Sequence, residues 1–279
     1  MAKTIVTGNF KGGVGKTTNA VMIGYTLAKQ GYKTLIVDFD PQANATEILF
    51  TTMRVVYGLE PAFNKTLFSA ILAQDLTQSR VNIRENLDLL PSYEDLQGYE
   101  KFLYDRLDND WAQDNYFSTL LEPLKEQYDY ILIDVPPQLN KYTNSALVAS
   151  DFVVIILQTH QRSFRGAQKY ISHLINLNEI YGLNVELLGV LPVLLQSGNK
   201  HDLDILDLSK NHFGSSNMFK TTLKIMARLK RYDSYGITER DDMHDRKAHF
   251  VYEGLTDEVL ERIDMFTRNN DNEEATAND

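Results

Sequence analysis

Residues Phe10 to Thr18 read Phe-Lys-Gly-Gly-Val-Gly-Lys-Thr-Thr, and no other stretch constrains the fold as much. An apolar, strand-like run (Thr4 to Thr7) precedes it, and a helix-like run (Asn19 to Gln30) follows. A strand, a glycine loop and a helix, in that order, form a cradle for phosphate oxygens. Gly12, Gly13 and Gly15 let the backbone curl around Val14 and turn N–H groups inward. A helix starting near Lys16 points its positive dipole end at the same place. Lys16 supplies a point charge for β- and γ-phosphates; Thr17, followed by Thr18, supplies a hydroxyl ligand for Mg²⁺.

The loop departs from the general G-x-x-x-x-G-K-[ST] pattern. Phe10 stands where glycine is expected, and a second lysine, Lys11, lies inside the loop. Two like charges in a small loop are costly unless much negative charge lies nearby. K-G-G-x-G-K-T-T is the deviant Walker A motif, and with it the chain resembles the ParA/MinD group of P-loop ATPases. The resemblance implies ATP and Mg²⁺ bound over Lys11 to Thr18, with Lys11 contacting nucleotide across a homodimer interface.

Two further motifs end apolar runs in carboxylates. Leu35 to Val37 leads into Asp38-Phe39-Asp40-Pro41-Gln42-Ala43-Asn44. Asp38 and Asp40 alternate with apolar residues, so both point to one side of the strand. Ligands of open α/β sheets lie beyond the carboxyl ends of strands, where Asp40 falls; helix or loop capping is the other use of such residues. This stretch is similar to the second ParA-type motif. The resemblance implies that Asp40 is the catalytic carboxylate, orienting the attacking water, with Lys16 and Lys11 beside it, and that Asp38 is structural. Tyr130 to Ile133 leads into Asp134-Val135-Pro136-Pro137, a Walker B pattern. Asp134 would then hold Mg²⁺ with Thr17 and, on the same side, Asp40. In the family, the element matched by Asp134 to Pro137 is also a nucleotide-sensing switch. The run Gly189 to Gln196 is similar to a late family strand whose end lies near adenine, which places Pro192 to Gln196 there. No N-K-x-D guanine element occurs.

Strand-like runs at Thr4–Gly8, Thr34–Phe39, Leu87–Leu90, Tyr130–Val135, Phe152–Leu157 and Leu187–Leu195 alternate with helical patterns, among them Thr17–Lys29, Asn115–Gln127, Ser163–Ile180 and Leu203–Asn211. Near-continuous apolar strands between helices predict an α/β P-loop fold, a mostly parallel twisted sheet with helices on both faces. One domain over 1–266, then an acidic, disordered tail over 267–279, is the expected organisation.

The 279 residues contain no cysteine, which excludes disulfides, thiolate metal sites and iron–sulfur clusters. No run of eighteen apolar residues offers a transmembrane helix, and a strand this close to Met1 leaves no room for a secretory signal. Net charge is −10, against a generally basic nucleic-acid binder. From Glu253 onward there are nine acidic and two basic residues, whereas Lys220 to Lys247 holds eight basic against five acidic. Lys220, Lys224, Arg228 and Arg231 recur at helical spacing; Lys230, Arg246 and Lys247 add to them. Such a run reads equally as a solvated surface or a phosphate-binding face.

The ParA resemblance implies the latter: sequence-independent DNA binding by an ATP-bound dimer, with a ParB-like centromere-binding partner stimulating hydrolysis. The chain would be cytoplasmic and nucleoid-associated when ATP-bound. MinD-like membrane targeting needs a C-terminal basic amphipathic helix, and Arg268 to Glu274 is acidic instead. The alternative is a positioning ATPase for protein cargo with no DNA role.

Overall fold

Seven strands form one sheet in the order β3-β4-β2-β5-β1-β6-β7. They are β1 (Lys3–Gly8), β2 (Thr34–Asp38), β3 (Val81–Arg84), β4 (Leu87–Leu90), β5 (Tyr130–Asp134), β6 (Phe152–Gln158) and β7 (Glu186–Val193). The computed structural model describes residues 1–196 and 198–277, with side chains described to Arg268. All neighbouring pairs are parallel except the β3–β4 hairpin at one edge. The connecting helices are α1 (Lys16–Lys29), α2 (Asn44–Thr52), α3 (Leu67–Leu72), α4 (Tyr99–Arg106), α5 (Asp110–Lys125), α6 (Lys141–Val148), α7 (Gln161–Tyr181), α8 (Lys200–Phe213), the single turn α9 (Tyr232–Tyr235) and α10 (Met243–Ala277).

Alternation along the strands divides the apolar side chains between two buried layers. Leu35, Val37, Ile131, Ile133 and Val153 join Phe117 of α5, Tyr142 of α6 and Tyr170 of α7 on one face. Ile5, Ile36, Leu132 and Val154 join Val21 of α1, Ile48 of α2 and Tyr252 of α10 on the other. Parallel pairing brings the carboxyl ends of the central strands level. Asp38 of β2 lies opposite Asp134 of β5, which lies opposite Thr7 of β1. Three motifs far apart in sequence therefore converge at one sheet edge.

One feature differs from the expectation. Residues 219–225 are not helical. Their amides bond to the β7 strand and its extension: Phe219 N to Val190 O at 2.9 Å, Leu223 N to Pro192 O at 2.9 Å and Ile225 N to Leu195 O at 3.1 Å. With those N–H groups engaged sideways, no helical ladder forms, and Lys220, Lys224, Arg228 and Arg231 share no helix face. At the C-terminal end, α10 carries helical backbone to Ala277.

Candidate functional site

The glycine loop springs from β1 and closes into α1. Gly13 and Gly15 have φ of +74° and +93°, left-handed values that a side chain would strain. Gly15 caps α1 without a side-chain bond, leaving the first-turn amides of the helix facing the cavity. The base of the loop is anchored by Asn9, which is fully buried. Its amide donates to the Ile156 carbonyl at 2.8 Å and to the Ser163 carbonyl and hydroxyl at 3.1 Å, while its Oδ1 accepts from Lys11 N at 2.8 Å. Asn19, one turn into α1, donates to Gly15 O at 2.8 Å and accepts from the Tyr252 hydroxyl at 3.1 Å.

Lys16, Thr17, Thr18, Asp40, Gln42, Val135 and Pro137 surround a cavity of about 470 Å³ beside Gly13 and Gly15. Asp40 is 7% exposed, and its carboxylate accepts from Gln42 N at 2.9 Å. Ser92 steadies the turn by donating to the Asp40 carbonyl at 2.7 Å. Asp38 is enclosed and accepts from both the amide and the hydroxyl of Thr46 at 2.7 Å, tying the end of β2 to α2. Asp134 is equally enclosed, but neither of its oxygens has a hydrogen-bond partner of ordinary geometry among the described residues.

Burial dominates the electrostatics. It pushes Asp134 up to about 8; neighbouring Asp38 adds to the rise, and Thr17 and Lys16 oppose it. Asp38 is pushed up to about 7 by burial, against the Thr46 hydrogen bonds. Burial also raises Asp40, opposed by the Gln42 amide and Lys16. The Lys16 ammonium is lowered by burial, against the pull of Asp134 and Asp40, and Lys11 lowers it further. Three carboxylates around one buried lysine are a site whose charge is incomplete without a cation. Among the described residues no group of three or more His, Asp or Glu side chains could hold a metal alone. An ion here would complete its shell with water and phosphate oxygens.

Across the loop lies a second, mainly apolar slot of about 260 Å³, with Val14 and Asn19 on one side and Leu194, Leu223, Met226, Leu229 and Tyr252 on the other. Val193 and Leu194 line it rather than Pro192, whose carbonyl is engaged by Leu223 N. Sequence reading missed the roof over 223–233 and the Tyr252 wall. None of these residues carries a motif: 223–233 reach the loop because the 219–225 segment runs along β7, and Tyr252 reaches it from α10 through Asn19 of α1.

The basic residues are dispersed. Lys224 and Lys230 line the apolar slot. Arg228 is held between Asp242 and the enclosed Asp245, its Nε 2.6 Å from Asp245. Arg246 pairs with Asp241 at 3.3 Å. Lys220, Arg231 and Lys247 are exposed. Lys11 turns back on its own loop, its Nζ 2.5 Å from Gly12 O.

A glycine cradle with a buried lysine and a threonine, facing carboxylates from two adjacent strand ends, defines a P-loop nucleotide-binding protein. Residues 2–187 match the family model for an AAA domain. The chain is 32% identical to sporulation initiation inhibitor protein Soj of Bacillus subtilis, over 85% of this chain and 89% of that one. It is 30% identical to chromosome-partitioning ATPase Soj of Treponema pallidum, over 94% and 98%. Among solved structures, cobyrinic acid a,c-diamide synthase from Mycobacterium smegmatis, with bound ADP and magnesium, is 27% identical with a TM-score of 0.72, covering 93% of this chain and 94% of that one. The chain belongs to the ParA-type P-loop ATPases.

Proposed function

We propose that the protein is a Mg²⁺-dependent ATPase that serves as a DNA-partition switch. The observation that carries this reading is the meeting of Lys16, Thr17 and Asp40 around one cavity, with Asp134 buried behind Thr17 and Lys16, and the continuation of that cavity into an apolar slot. The partitioning relatives support it. Thr17 and Asp134 fit a cation: the Asp134 oxygens are buried beside Thr17 without a hydrogen bond of ordinary geometry among the described residues. Bound there, Mg²⁺ would neutralise phosphate charge and polarise the γ-phosphoryl group. Lys16 and the loop amides hold the phosphates in place. Asp40, oriented by the Gln42 amide, accepts a hydrogen bond from the water that attacks.

In this reading ATP joins two copies, and Lys11 swings from its own Gly12 carbonyl to the partner's phosphates. The dimer binds DNA of any sequence and dissociates when a ParB-like partner stimulates slow hydrolysis. No helix among the described residues is long and apolar enough to cross a membrane. DNA co-sedimentation without nucleotide, with ADP and with ATP–Mg²⁺, using Asp40→Ala to hold the ATP state, tests the scheme. ATP-dependent, salt-sensitive binding to unrelated sequences is expected. Binding equal in all three states overturns the switch.

One observation favours a second reading, a positioning ATPase with no DNA role. Of the seven basic residues expected to face DNA, two line the slot and Arg228 is neutralised by two aspartates. ATP-driven dimers that ignore DNA in every state would select it.

A further inference from the structure

The phosphate cavity and the apolar slot share four lining residues: Gly13, Gly15, Thr18 and Asp233. Three belong to the loop and the start of α1. Asp233 alone reaches the junction from elsewhere, on the single turn α9. Its backbone is seated on α2, where the Thr51 hydroxyl donates to the Asp233 carbonyl at 3.5 Å and Ile237 N donates to Thr52 Oγ1 at 2.9 Å. Its side chain has no hydrogen bond or ion pair among the described residues, and it is exposed at the junction.

A carboxylate only accepts hydrogen bonds. In a bound nucleotide the phosphates would carry like charge and repel it, and the base would fill the apolar slot. Between them would lie the sugar, whose 2′- and 3′-hydroxyls are two vicinal donors. A carboxylate meeting such a diol forms charge-assisted O–H···O bonds, the use that dinucleotide-binding α/β folds make of an acidic side chain. Lys224 and Lys230, on the base side of the slot, offset the charge placed there.

We propose that Asp233 holds the ribose hydroxyls of the bound nucleotide and makes the site select ribonucleotides over deoxyribonucleotides. This rests on the nucleotide reading above and adds the feature that the sugar is recognised. Calorimetric titration of the full chain with ADP, 2′-dADP and 3′-dADP in Mg²⁺ tests it without turnover. The parent should bind ADP about tenfold or more tightly than either deoxy analogue. Asp233→Ala should weaken ADP most and each deoxy analogue less, because each analogue keeps one hydroxyl that the carboxylate holds, so the ratios fall toward one. Asp233→Asn should give an intermediate ratio, since its amide oxygen still accepts. Melting curves establish that both variants fold. A parent ratio near one overturns the assignment. So does a ratio that survives in Asp233→Ala, or an equal loss for all three ligands. Should the folded parent bind none of the three, the nucleotide reading itself falls; binding lost only in Lys16→Ala upholds that reading independently of Asp233.

Discussion

Asp134 is the residue at which ligand chemistry and stability meet. Its carboxyl ionises near 3.8 in water and near 8 in the fold, because burial and Asp38 disfavour its charge. The native state therefore holds this proton over a range in which the unfolded chain has lost it. For this group, stability is full below pH 3.8 and is lost as pH rises toward about 8. In chelator at pH 8.5, Asp134→Asn should melt at least about 2 °C above the parent, the shift that roughly 1 kcal/mol gives a domain of this size. The gap should shrink toward pH 5, and only the parent should gain stability from Mg²⁺–nucleotide. Scanning fluorimetry checks both; a gap that is constant with pH contradicts the assignment. Lys16, Thr17, Asp40 and Asp134 were legible from sequence because each sits in a contiguous motif. Asn9, Thr46, Ser92 and Asp233 were not, because what defines each is a contact with a distant segment.

At the scale of elements, the glycine loop owes its position to α7 as much as to β1. A Cβ at Gly166 would lie 2.3 Å from Asn9 Oδ1 and 3.1 Å from Lys11 N. The Asn9 amide is fixed by bonds to Ile156 and Ser163, so the loop and not the asparagine must yield. Gly166→Ala should cost about 1–3 kcal/mol and weaken nucleotide binding, although residue 166 lines neither cavity. An unchanged melting temperature and affinity would show the loop base to be compliant. The central strands were readable because their apolar residues fill both faces of a parallel sheet. Edge strand β3 was not: it has only four residues, with Val81 and Ile83 inward and Asn82 outward. The 220–231 stretch misled because lysines and arginines at three- and four-residue spacing fit a helix, while the Lys220 and Thr221 amides are held by the Glu258 carboxylate and those of Leu223 and Ile225 by the sheet edge. That competition is decided by tertiary contact.

At the scale of the whole molecule, the basic face must be smaller than composition implies. Arg228→Ala strands the enclosed Asp245 and should destabilise by roughly 2–3 kcal/mol, less than a fully enclosed pair because Asp242 is partly exposed. Charge reversal at Lys220, Arg231 and Lys247 should leave stability and ATPase near parental values while weakening ATP-dependent DNA retention and reducing its salt slope. Melting curves and co-sedimentation over a salt series separate the two effects. Retention unchanged by the triple reversal would place any DNA contact elsewhere. The two halves of the site also come from distant parts of the chain: the phosphate cradle needs residues 10–18, 38–42, 134–137 and the 156–166 stretch that anchors Asn9, whereas the slot waits for 193–194, 223–233 and Tyr252. On a ribosome adding about 5–20 residues per second, several seconds separate the two. A half-made chain thus offers a seat for phosphate before it offers one for a base, and nucleotide is retained only once nearly the whole protein has emerged.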